Sequence, residues 1–301
     1  AVDSMPQTPS ANHTQDQYSQ HLVASQTFGN ITVLAATPLA AENTMRLFRN
    51  ELDRIRREVL SDETLDLTLP ITICVWENDA LYRAQVAVAQ DLGNACSFQA
   101  ETKKTRRHEI HLSPSMAENQ TVDEAILNML PHEICHILQH EQFLKDQLNE
   151  TQAKPKKRLK KSRKIKNYPL ALAEGLAVLS EHSVQDARIR LTAEAFAQAS
   201  VNPISSLLQI KHYHQVPNLS LFYARSYSFT EFLQSRMNQA QFAQFLQLIR
   251  DGNSVQKSFG ITRGFKTTKA ATKALNFRWR QYALLQAKLL AEIEKRKEKH
   301  S

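Results

Sequence analysis

The sequence predicts an α+β fold, with a small mixed β-sheet and helices in the N-terminal part and a mainly helical C-terminal part. Three observations predict it. Short β-branched or alternating runs lie before residue 113, at Ile31–Leu34, Ile71–Trp76 and His108–Leu112. From Val122 onward, apolar residues recur at helical spacing. The chain has 301 residues, 42% of them hydrophobic, with only 6 Gly and 10 Pro. That is enough to bury a sizeable core, and it excludes a collagen-like or low-complexity polymer.

The elements follow in order. Ala1–Gln20 is polar and reads as a disordered tail, extended to residue 25 as the first segment. The first strand follows at Ile31–Leu34. Met45, Leu47, Phe48, Leu52, Ile55 and Val59 then fall at helical spacing, which predicts a helix from about Ala40 to Leu60. Pro70 introduces the second strand. A helix is predicted over Ala80–Asp91, and the third strand at His108–Leu112. Asp123–Phe143 reads as one apolar-faced helix, closing an N-terminal subdomain at 26–145. A basic insertion at 146–169 follows, broken by Pro155 and Pro169. Further helices are predicted at Leu170–Ser183, Leu191–Ala199, Ser220–Arg236, Gln241–Arg250 and Thr268–Lys299, forming a helical subdomain at 170–301.

Charge is concentrated. Lys154, Lys156, Lys157, Arg158, Lys160, Lys161, Arg163, Lys164 and Lys166 include no acid, and these nine exceed the net charge of +8. The rest of the chain is therefore close to neutral. Three readings of this segment stand: a solvated loop, a lid that attracts acidic peptides, and a nucleic-acid contact. No aromatic residue is interleaved before Tyr168, which disfavours stacking on single-stranded bases. Three cysteines make no disulfide framework, although Cys74 and Cys96 could pair in an oxidising compartment. No run of eighteen apolar residues predicts a membrane span. The polar opening suggests the remnant of a cleaved leader and hence export, periplasmic or secreted, with the cytoplasm as the alternative. The sequons at Asn30, Asn119, Asn149 and Asn218 matter only in a eukaryotic secretory pathway.

The chemistry lies in His132-Glu133-Ile134-Cys135-His136. In a helix, residues four apart sit one turn above each other on one face. Two imidazoles so placed can hold one metal ion, and Glu133 can reach a water on that ion without binding the metal. A third protein ligand is needed. His140 lies two turns from His132, about 12 Å at 1.5 Å per residue, too far to share one ion with it. Glu174, in Ala171-Leu172-Ala173-Glu174-Gly175-Leu176-Ala177, is the better candidate. A carboxylate in so apolar a run is costly to bury unless paired or bound to metal. Gly175 beside it permits close approach of another backbone or a substrate.

The pair HEICH and LAEGLA resembles the gluzincin metallopeptidases, in particular their peptidase MA-like branch. Tyr223-Ala224-Arg225-Ser226-Tyr227-Ser228-Phe229 and Phe277-Arg278-Trp279-Arg280-Gln281-Tyr282 resemble two later helices of that family, so the likeness runs from Ile31 to Tyr282. The resemblance implies a zincin-like fold and one Zn2+ ion held by His132, His136 and Glu174. It also implies hydrolysis of a peptide or protein substrate, with Glu133 as general base. Tyr223 or Tyr227 would steady the oxyanion, and His212 and His214 are reserve candidates. The gap from His136 to Glu174 is longer than in compact members, and no amino-terminal exopeptidase motif is present. Two alternatives are a catalytically silent zincin-fold binding module and a nucleic-acid-binding protein built on residues 154–166.

Overall fold

The computed structural model describes residues 18, 20–86, 95–101, 106–114, 121–153, 167–183, 185–198 and 203–299. The fold is α+β, with a five-stranded mixed sheet and, among the described residues, ten α-helices. Cα packing divides the chain into two compact units. One comprises Ala1–Val59, Glu63–Gln142 and Ser180–His182; the other comprises Leu60–Asp62, Phe143–Leu179 and Ser183–Ser301.

The first unit is built on the sheet. Its strands are β1 (Ala24–Phe28), β2 (Ile31–Ala35), β3 (Ile71–Val75), β4 (Ala95–Glu101) and β5 (Arg106–Leu112). They lie in the order β1-β2-β3-β5-β4. β2, β3 and β5 run parallel, and β1 and β4 pair antiparallel at the two edges. The three parallel strands are those expected from the sequence; both edge strands are additional. Helix α1 (Pro38–Arg54) begins after Thr37, whose side chain accepts from the Ala40 amide, with Pro38 in the first turn. A five-residue π turn, Ile55–Val59, follows it. Helix α2 is short, Asp79–Gln85. The remainder of the helix expected up to Asp91 lies outside the described residues after Val86.

Strand register explains the two faces. Val33, Ile73 and Ile110 are cross-strand partners on one face, and all are fully buried. His108, on the same face, meets Glu141 of the long helix α3 (Val122–Ala153) at 2.8 Å, so α3 runs along that face. The opposite face carries Leu34, Cys74, Trp76, Cys96 and Phe98, packed with Leu22, Tyr82 and Val86. Tyr18 joins this core at 1% exposure, although composition assigns it to a tail. Its hydroxyl donates to Glu109 at 3.3 Å. Glu109 also accepts from Arg107 (2.7 Å) and His111 (3.0 Å), while the Trp76 indole donates to the other His111 nitrogen (3.1 Å). Burial alone would raise the Glu109 carboxyl. The His111 hydrogen bond and the Arg107 charge outweigh it and hold the carboxyl below its usual range.

All three cysteines are free and buried. Cys74 and Cys96 are each the register partner of His111, on opposite sides of β5. Their Cα atoms are thus two strand spacings apart, about 9.6 Å, beyond the reach of a disulfide. The pairing considered from the sequence is absent for this reason.

His140 packs edge-on against the His108 ring at 5.2 Å. Burial first, then the neighbouring His108 and Arg106, push its imidazole down to about 4; Glu141 opposes the shift. The unfolded chain therefore binds a proton at His140 that the folded chain refuses between pH 6.5 and about 4. Stability is lost as pH falls through that window. His140→Leu is expected to flatten this part of the urea-midpoint profile against pH. An unchanged profile would show that other groups carry the acid sensitivity.

The second unit is helical. It contains the end of α3, most of α4 (Leu170–Ser180), α5 (Asp186–Gln198), α6 (Pro203–Leu208), α7 (Leu219–Ser235), α8 (Gln239–Arg250), α9 (Val255–Thr262) and α10 (Thr268–Glu298). Trp279 of α10 donates from its indole to Ser228 of α7 at 3.1 Å and stacks edge-on against Phe196. The late motif around Trp279 is therefore a packing element. No helix among the described residues is long and apolar enough to cross a membrane.

Candidate metal centre

Helix α3 places the two histidines. Its apolar face buries Ala125, Leu130, Ile134 and Leu138, which fixes its rotation and carries His132 and His136 together on another side. Pro131 sits inside the helix and removes one backbone donor directly before His132. The Nε2 atoms of His132 and His136 lie 3.2 Å apart. Two nitrogens bound at ~2.0–2.1 Å to one tetrahedral centre are about 3.3 Å apart, so the pair already stands at ligand spacing.

The second nitrogen of His132 is engaged. Its Nδ1 lies 2.9 Å from a carboxylate oxygen of Glu181, which belongs to the same unit. A carboxylate only accepts, so Nδ1 carries the hydrogen of this contact and Nε2 is the nitrogen turned toward His136. Glu133 is 6% exposed. Burial chiefly, and the Glu133 charge next, push the Cys96 thiol up to about 12. Burial also raises Tyr82, with Glu133 a smaller contributor. Glu133 thus sits in the electrostatic environment of α2 and β4. Cys135 is fully buried, and its sulfur accepts from the Gln139 amide at 3.3 Å.

In the second unit, Glu174 is 1% exposed on α4. Tyr213, in a 3₁₀ turn (Tyr213–Gln215), donates its hydroxyl to one Glu174 oxygen. A Cβ at Gly175 would collide with the Thr230 side chain and the Ser226 carbonyl of α7. The glycine therefore lets α4 and α7 approach, and the Ser226 motif supplies the facing surface. Tyr227 is buried, and its hydroxyl donates to Glu231 at 2.6 Å. Tyr223 is half-buried beside Phe222. The His212 and His214 rings stack on each other at 5.3 Å.

One ligand atom from each of His132, His136 and Glu174 lie within 4.8 Å of one another. The three residues singled out in the sequence are thus brought together, and His140, His212 and His214 are outside that group. Sequence reasoning missed Glu181 and Tyr213. Glu181 was findable, since it falls seven residues after Glu174 within the helix expected over Leu170–Ser183, although that helix ends at Ser180 and Glu181 lies just beyond it. Tyr213 carries no comparable signal. The basic run 154–166 lies outside the described residues. Its flanks are tied within the second unit, where Arg250 donates to Asp146 and to Tyr168, each at 2.8 Å.

Comparison with family models, curated proteins and solved structures returns no match to this chain.

Proposed function

We propose that this chain is a zinc-dependent peptidase of zincin-like architecture that hydrolyses a peptide or protein substrate with Glu133 as general base. The observation that carries this reading is the convergence of His132, His136 and Glu174 within 4.8 Å. Two imidazoles and one carboxylate suit zinc and leave a coordination position open, as a catalytic rather than structural site requires. A zinc ion held there would act as a Lewis acid on the substrate carbonyl and make a water acidic near neutral pH.

The other roles belong to the chain itself. Glu181 fixes the tautomer and ring orientation of His132. Tyr213 orients the Glu174 carboxylate. Glu133 takes the proton of the attacking water and passes it to the leaving amine. Of the two tyrosines on α7, Tyr227 donates its hydroxyl to Glu231, and Tyr223 is the preferred candidate for oxyanion donor.

Metal content of the untagged protein, measured by elemental mass spectrometry after zinc loading and desalting, tests the reading. The expected result is about one zinc per chain, lost in His132→Ala and in Glu174→Ala. Zinc retained by Glu174→Ala would move the third ligand elsewhere. No zinc in the wild type would overturn the proposal.

A further inference from the structure

We infer that Glu51 and Arg54, in the last turn of α1, are positioning residues for His132 and act through the turn Ser180-Glu181-His182. The inference rests on His132 being a metal ligand. Glu51 is 6% exposed and accepts from two sides. Arg54 Nε donates to its Oε2 at 2.7 Å, and His182 Nε2 lies 2.9 Å from its Oε1. The Arg54 guanidinium also donates to the Ser180 carbonyl. Residues 180 and 182 are therefore both tied to α1, and Glu181 stands between them. Its own carboxylate lies 2.9 Å from His132 Nδ1. All these groups belong to the first unit.

The physical case starts from flexibility. Ser180 ends α4, where backbone carbonyls lack helical partners and the chain is free to pivot. A glutamate rooted in such a turn has many rotamers available. Holding the Ser180 carbonyl and the His182 side chain to α1 restricts the chain on both sides of Glu181 before any metal arrives, so less ordering entropy is lost on binding. Arg54 suits the task because its planar fork reaches a carboxylate and a carbonyl together, which a lysine ammonium does not do in one geometry. The positive charge also lies at a helix C-terminus, where it is favoured. The π turn at Ile55–Val59 directly follows Arg54, and such wide turns often accompany functional positions.

A capping role alone would stabilise the fold and leave the metal unaffected, so the test must separate the two. Zinc dissociation constants are measured on the full chain by competition with a chromophoric chelator. The variants are Glu181→Gln, Glu51→Gln, Arg54→Lys and the double Glu51→Gln/Glu181→Gln. Absorption spectra with cobalt(II) report ligand geometry, and denaturant melts report the fold. Glu181→Gln is expected to weaken zinc by about 10–100-fold, and Glu51→Gln and Arg54→Lys by about tenfold, the range for outer partners of metal ligands. The double variant is expected to bind about as Glu181→Gln does, because both changes act on one route. The cobalt spectrum of Glu51→Gln should shift in the same direction as that of Glu181→Gln. Wild-type affinity and spectrum in Glu51→Gln and Arg54→Lys would overturn the inference, as would a double variant whose loss is the product of the two singles. If Glu51→Gln does not fold, Arg54→Lys decides, since it retains the charge and loses only the fork. A wild-type chain that binds neither zinc nor cobalt would overturn the metal reading itself, and this inference with it.

Discussion

Glu133→Gln is expected to lower peptide hydrolysis by about 10²–10⁴-fold while zinc stays at about one per chain. Gln has nearly the shape of Glu, so the 6% exposed position is filled as before. What it lacks is the ability to take a proton. Glu133 is not among the three ligand residues, so its replacement leaves the donor set whole. The check pairs turnover of a peptide found in a library screen with elemental zinc content of the same sample. Equal turnover in both proteins would remove Glu133 from the mechanism. A wild type that binds zinc and cleaves nothing in the library would favour the silent binding module. Loss of zinc in the variant would make Glu133 part of the metal's immediate support.

Gly175→Ala is expected to destabilise the helical unit by about 3 kcal/mol, near the upper end for forced overpacking. The added Cβ would meet the Thr230 side chain and the backbone carbonyl of Ser226. A side chain can swing aside; a carbonyl in the middle of α7 can move only with its helix. Guanidinium denaturation followed by tryptophan fluorescence in a Trp76→Phe background reads this unit through Trp279, which is fully buried on α10. A midpoint matching that of the wild type would mean that α4 and α7 separate at little cost. Thr230→Ala combined with Gly175→Ala should recover part of the loss, because it removes one of the two obstacles. The double variant should not recover all of it, because the carbonyl remains.

The sequence announces the central strands and conceals the edges. Ile31–Ala35, Ile71–Val75 and the last five residues of Arg106–Leu112 are largely buried, so their composition is β-branched or alternating and easily read. β1, with the sequence ASQTF, is exposed at all but its first residue, so no hydrophobic alternation marks it. β4, ACSFQAE, carries one large apolar residue, Phe98, among small and polar ones, so a propensity reading passes over it. At the site, His132, Glu133 and His136 are legible because helical spacing is local. Glu174 is legible because a carboxylate in an apolar run needs a reason. Tyr213 is not, because its contact with Glu174 depends on a loop 39 residues away in sequence. The fate of Cys74 and Cys96 is likewise a matter of register, which places both opposite His111 and out of each other's reach.

The division of the chain has a consequence for dissecting it. The sequence invites a border near residue 145, yet that position falls inside α3, which runs to Ala153 and is shared by both units. Leu60–Asp62 belongs to the helical unit although the sheet continues after it, and Ser180–His182 returns to the sheet unit from within the helical part. No single cut therefore yields two self-sufficient halves. A fragment ending at 145 would lack Glu181 and its neighbours, so His132 would lose its carboxylate partner. Fragments of this protein are expected to recover the pair only by complementation, with both pieces refolded together in one vessel.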